Sequence, residues 1–190
     1  MVEPHQIQHA IRFDVSVRTL PEAGMPVRFE ANEKELAALT RQLGIQAVRS
    51  LKADVLVKRW RGEGVRVTGE LVADVVQQCV VTLDPLDETV REEIAATFVP
   101  DGSKLARVES PRDDALHIDP EGEDIPDTFN GDRIDLGALF CETTALGLDP
   151  YPRSAGAAMP EDLVLPADEE ARVSPFARLA TLRPKNGEEG

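Results

Sequence analysis

Between Val65 and Leu83 the odd positions read Val65, Val67, Gly69, Leu71, Ala73, Val75, Gln77, Cys79, Val81 and Leu83, and only Gln77 among them is plainly polar. The even positions carry Arg66, Thr68, Glu70, Asp74, Gln78 and Thr82, with Val72, Val76 and Val80 as exceptions. A period of two puts one face in a core and the other in water. Nineteen residues exceed an ordinary strand, so the pattern predicts a long strand bent near Gly69, or two strands joined by a bulge. The run Asp84-Pro85-Leu86-Asp87 supplies turn chemistry. After it the parity shifts, and Val90, Ile94, Ala96 and Phe98 predict a return strand over 88–98.

The same alternation predicts strands at 11–18 (Ile11, Phe13, Val15, Val17) and 50–60 (Leu51, Ala53, Val55, Val57), with Arg61 to Gly64 as the turn into the long strand. Residues 19–27, with Pro21, Gly24 and Pro26, read as a loop. Asn32 and Glu35 form a capping box, Leu36, Leu39, Thr40 and Leu43 follow at helical spacing, and Gly44 fits the left-handed stop, so a helix runs from Asn32 to Gly44. Asp135 caps a second helix, Leu136 to Gly147, with Leu136, Leu139, Phe140 and Thr143 on one face. Ser174-Pro175 opens a third, about two turns long, too short to stand undocked. The fold class is therefore α+β: an antiparallel β meander, left open or partly closed into a barrel, with two main helices and a short C-terminal helix. The domain reading is a flexible N-terminus over 1–10, a β-rich core with one helix over 11–99, an acidic loop over 100–132, a second helix completing the domain over 133–152, and a linker, short helix and disordered tail over 153–190.

Charge divides the chain. The net charge is −14 over 190 residues. Residues 1–70 hold 11 basic and 9 acidic side chains, a balance of +2, and residues 71–190 hold 10 basic and 26 acidic, a balance of −16. The acidic half repels nucleic acid and attracts basic partners. In 100–132 the apolar pattern dissolves, Leu116, Ile118 and Phe129 being its large apolar anchors, and Asp113, Asp114, Glu121, Glu123 and Asp124 are the candidate contacts to a basic partner. The one basic concentration lies between Arg41 and Arg66, where seven basic residues meet Asp54 and Glu63. Lys58, Arg59, Trp60, Arg61 and Arg66 are the candidate RNA contacts, Trp60 being able to stack on a base. The competing reading is a solvated sheet face: strand parity places six basic and five acidic residues on it, a mixture and not a phosphate-binding stripe.

Chemistry is harder to find. No glycine-rich phosphate loop and no GxSxG elbow occurs. His5 and His9 sit near the chain start and His117 in the acidic segment. The carboxylate pairs Asp113-Asp114 and Glu169-Glu170 lie where no regular element would hold them in geometry. Cys79 is followed three residues on by Thr82, and no CxxC or CxxH exists, so no metal and no cofactor are expected. Cys79 and Cys141 read as reduced buried thiols. No apolar run reaches the ~20 residues of a membrane span, and the expectation is a soluble cytoplasmic protein that is not an enzyme.

The run GELVADVVQQCVVTLDPLDETVREEIAATF, then GDRIDLGALFCETTALGLDPYPR, then SPFARLATL resembles the YceD family, bacterial proteins described as large ribosomal RNA subunit accumulation proteins. The likeness spans roughly Phe13 to Leu182. It implies a small non-enzymatic ribosome-biogenesis factor that supports accumulation of 23S rRNA and the large ribosomal subunit, with rRNA or a basic large-subunit ribosomal protein as partner. Many members carry a CxRC-like pair after the long strand; Thr82 stands here in place of the second cysteine, and Tyr151-Pro152-Arg153 where others show histidine, so a metal role does not carry over. The alternative class is a peptide- or protein-binding interaction module unrelated to ribosomes.

Overall fold

The computed structural model describes residues 9–106 and 125–157. The chain divides into two compact units, 1–155 and 156–190, and every strand and helix among the described residues lies in the first. The third helix predicted at Ser174 lies outside the described residues.

Among the described residues seven strands and two α-helices follow in the order β1 (Asp14–Ser16), β2 (Met25–Glu30), α1 (Glu33–Leu43), β3 (Ala47–Trp60), β4 (Gly64–Gln78), β5 (Pro85–Pro100), β6 (Asp127–Phe129), β7 (Arg133–Asp135) and α2 (Leu136–Leu146). Five strands form one sheet in the order β2-β3-β4-β5-β6, antiparallel except for the last pair, which is parallel. The fold is α+β, and the sheet stays open among the described residues.

Three strand expectations need correction. The 11–18 segment does not join the meander: only Asp14–Ser16 is strand, and it pairs with β7 in a separate two-stranded ladder. The segment read as loop over 19–27 instead leads into β2, which takes the meander's outer place beside β3. Proline misled the reading. Pro26 lies opposite Leu56 on an edge strand, where a missing N–H costs no ladder bond. The long strand stops at Gln78, because Leu83 N–H closes onto Cys79 O at 2.9 Å and Cys79 N–H onto Asp84 O at 2.9 Å. The turn is thus 79–84, Leu83 sits at φ +63°, and β5 starts at Pro85.

No bulge interrupts β4 at Gly69, which pairs with Val55 on one side and Ile94 on the other. Glycine is needed for approach: a Cβ there would collide with the carbonyl oxygen of Asp54 and stand 2.7 Å from the Cα of Val55. The irregularity lies in β3, between Val48 and Ser50.

Parity otherwise holds. Val65, Val67, Leu71, Ala73 and Val75 are buried, joined by Val55 and Val57 from β3 and Val90 and Ile94 from β5. α1 has its capping box and its left-handed Gly44 as predicted. α2 begins at Asp135, whose carboxylate accepts from the N–H groups of Gly137 at 2.9 Å, Ala138 at 3.3 Å and Phe13 at 3.0 Å. The cap therefore also clasps the N-terminal segment, on which the first turn of α2 presses: a Cβ on Gly137 would stand 2.6 Å from Ile11 O. Phe140 then meets Phe29 of β2 with ring centroids 5.3 Å apart, and Phe29 meets Phe13 at 5.5 Å. At its far end, a Cβ on Gly147 would touch Val90 Cγ1 of β5 at 2.5 Å. α2 thus spans the inner face of the sheet from β2 to β5. The buried side of α2 is Leu136, Gly137, Phe140, Cys141 and Thr144, turned from the predicted stripe; Leu139 and Thr143 are only half-buried.

Candidate functional site

The β3–β4 hairpin separates the five candidate RNA contacts. Arg61 at φ +46° and Gly62 at φ +86° make the turn, and Gly64 lies opposite Trp60. The ring of Trp60 lies across Gly64, where a Cβ would approach Trp60 Cε3 to 2.9 Å. The Arg61 guanidinium stands 4.5 Å over that ring, a cation–π contact. Lys58 lies opposite Arg66 on the outer, solvent-facing side of the sheet. Arg59, of opposite parity, donates to the carbonyls of Val17 and Arg18, both at 3.3 Å. Four candidates therefore gather at the hairpin tip, while Arg59 ties down the chain after β1.

Below the tip the outer face of the sheet is mixed in sign. Lys58, Arg66 and Arg91 share it with Glu70, Asp74 and Glu93. Its other cations are largely neutralised in place: Arg28 meets Asp54 at 3.1 Å, Lys52 meets Glu30 at 3.2 Å, and Arg49 meets Asp87 at 2.9 Å. Asp74 accepts from Ser50 at 2.7 Å and Thr89 at 2.9 Å, which holds its carboxyl below the usual range. Three of the eleven charged residues that strand parity places on this face, Arg12, Asp14 and Arg18, belong to the β1 segment instead.

A cleft of about 670 Å³ opens where the edge of β5 faces α2. Ile94 and Ala96 of β5 form its floor, and Leu139, Thr143 and Leu146 of α2 its wall. Ile125 closes one end, just before β6. Leu146 and Ile125 leave 78% and 66% of their surface exposed. Glu92, Glu93, Asp127 and Glu142 rim the cleft, with Trp60 and Arg66 at its mouth. Sequence reading missed it because three distant elements build it. One signal was there: positions 139, 142, 143 and 146 repeat at helical spacing beside the buried stripe. The acidic candidates Asp113, Asp114, Glu121, Glu123 and Asp124 lie outside the described residues, as do His5 and His117.

Cys79 is buried, in the turn after β4 and not within the strand. Its sulfur accepts from the N–H groups of Thr82 at 3.5 Å and Ser154 at 3.4 Å, and the Ser154 hydroxyl lies 3.6 Å away. The Thr82 hydroxyl first, then the N–H groups of Ser154, Thr82 and Val81, favour the thiolate and pull the thiol down to about 6. Val80 N–H donates to Pro152 O at 2.9 Å, and the Gln77 amide to Asp149 O at 3.0 Å. Thr82 and Ser154 thus serve as hydrogen-bonding partners of one sulfur, and together they fasten the chain leaving α2 to the end of β4. Gln77, the polar exception on the buried face, does the same. Cys141 lies inside α2, where burial pushes its thiol up. Among the described residues no group of three His, Cys, Asp or Glu side chains is placed to hold a metal ion, and no helix is long and apolar enough to cross a membrane.

No curated protein and no solved structure matches this chain. One family model does match, that of the large ribosomal RNA subunit accumulation protein YceD, over residues 67–183. That stretch takes in β4 from Val67 onward, the Cys79 turn, β5, α2 and the cleft residues other than Trp60 and Arg66. It covers more than half of the chain, and the chain belongs to the YceD family.

Proposed function

We propose that this chain is a non-enzymatic cytoplasmic factor that supports accumulation of 23S rRNA and the large ribosomal subunit by holding a basic large-subunit ribosomal protein. The observation that carries this reading is where the charge lies. The cleft beside β5 combines exposed apolar walls with four rim carboxylates, Glu92, Glu93, Asp127 and Glu142. A phosphate-binding surface needs a positive stripe, and the outer face of the sheet has its cations interleaved with carboxylates. The carboxylates Asp113, Asp114, Glu121, Glu123 and Asp124 fall within the twelve residues before the cleft residue Ile125 and add to the attraction for a basic client.

Contact with rRNA belongs to the hairpin tip, where Lys58, Trp60, Arg61 and Arg66 gather; Arg59 supports the tip from behind. Client and RNA then meet one molecule at neighbouring surfaces. Purification of the tagged chain with and without nuclease treatment tests this division. A basic ribosomal protein that stays bound after nuclease supports it. Recovery of that protein only when RNA is intact would make RNA the primary partner.

A further inference from the structure

The outer side of β5 pairs with β6 only through Phe98, Val99 and Pro100, so from Pro85 to Thr97 its edge has no strand partner among the described residues. At about 3.3 Å per residue that is an edge roughly 40 Å long. Exposed edges are ordinarily blunted by proline, shortness or a covering element. β5 carries proline only at its two ends, Pro85 and Pro100. Alongside it runs the wall of α2, with Leu139 half-buried and Leu146 largely exposed. On the same strand Glu88 keeps a buried carboxylate oxygen, Oε2, with no donor among the described residues.

A bare strand edge beside an apolar wall has what strand addition needs: main-chain donors and acceptors along one line, and a surface for every second side chain of the incoming segment. The charge selects what comes in. Glu88, Glu92 and Glu93 outweigh Arg91 along the strand, Asp87 being paired with Arg49, and Glu142 and Asp127 add to them across the cleft. A second copy pairing through this edge would set acid beside acid, which is unfavourable, and RNA phosphates would be repelled. We infer that the β5 edge from Pro85 to Thr97 is a strand-addition site for an extended basic segment of a partner polypeptide. Its main chain pairs with β5, its apolar side chains pack on Leu139, Leu146 and Ile125, and its alternate basic side chains meet Glu93 and the outer face of the sheet. This rests on the reading that the client is a basic protein, and names how the client is held.

The test uses the full chain and three synthetic ten-residue probes: alternating lysine and valine, the same peptide with alternate amide nitrogens methylated, and alternating glutamate and valine. Binding is read by fluorescence anisotropy, and amide hydrogen exchange is followed along β5. The expected result is that the lysine peptide binds and protects amides between Leu86 and Thr97, while the methylated and acidic peptides bind at least roughly tenfold more weakly. The variant Glu93→Lys/Glu142→Lys, both exposed positions, should weaken the lysine peptide by a similar factor with an unchanged melting temperature. Equal binding of the methylated peptide without protection of β5 overturns strand addition and leaves the basic-client reading standing. No binding of the lysine peptide up to about 1 mM overturns the inference, and overturns that reading too where a single-stranded RNA oligonucleotide binds instead. Protection of the β5 edge in the chain alone shows the edge already occupied, by the chain itself or by a second copy, and also overturns it.

Discussion

At one edge of the five-stranded sheet β2 runs for six residues, carries Pro26, and holds Arg28 and Glu30 in ion pairs with Asp54 and Lys52 of its neighbour. At the other, β5 runs for 16 residues with prolines only at its ends, and meets β6 along just three. Both strands build the same core: Val27 and Phe29 from one, Val90 and Ile94 from the other. The difference is in what faces outward. The β2 edge is short and interrupted, with its charges matched. The β5 edge is long, acidic, and flanked by a helix whose Leu146 is largely exposed. Solubility alone would favour treating both edges alike. The proposed strand-addition site is the edge that has no strand partner over most of its length among the described residues and lies beside an apolar wall.

The largest expected effect strikes both edges at once. Gly69→Ala drives a methyl into the Asp54–Val55 backbone, and should cost roughly 3 kcal/mol in urea unfolding; a loss below about 1 kcal/mol would mean that β3 and β4 separate easily. Asp135→Ala should be more selective. It removes the cap of α2 and orphans the N–H of Phe13, at about 2 kcal/mol. Hydrogen exchange should rise first in α2 and the N-terminal segment and leave the β2–β3 ladder unchanged. Uniform acceleration would deny α2 its separate role as the cleft wall.

A smaller effect is set by pH, on the cleft side only. The Cys79 thiol lies near 6 in the folded chain against an ordinary 9.0. Between those values the unfolded chain binds the extra proton, so stability rises with pH from about 6 to 9, and the contribution is lost as pH falls through 6. Cys79→Ala should flatten that slope. An unaltered slope would assign the pH dependence elsewhere. The smallest effect belongs to the β2 edge. Glu30→Gln breaks the exposed pair with Lys52, and should shift stability by at most a few tenths of a kcal/mol.

Much of this was legible in local pattern. Parity identified the inner face of β4 residue by residue, and Asn32, Gly44 and Asp135 marked helix ends, because capping depends on chemistry three or four residues away. What lies between elements was not legible. Pro26 concealed β2 because proline reads as a breaker until the strand is known to be an edge. Gly69 stood out in the pattern, but its reason did not, because the Asp54 carbonyl it accommodates is on another strand. The basic cluster was visible as composition, but the backbone turned Arg59 away from Lys58 and Trp60, toward Val17 and Arg18. The cleft has no linear signature at all: Ile94, Ile125 and Leu146 meet only in the fold.

The central claim, that the acidic cleft serves large-subunit rRNA accumulation, is tested most directly by the ratio of large- to small-subunit rRNA in cells lacking the gene and complemented with variants. Loss should lower the ratio, the wild-type chain should restore it, and Glu93→Lys/Glu142→Lys, accumulating to the same level, should not. A ratio unchanged by loss of the gene, or fully restored by the charge-reversed chain, would contradict it.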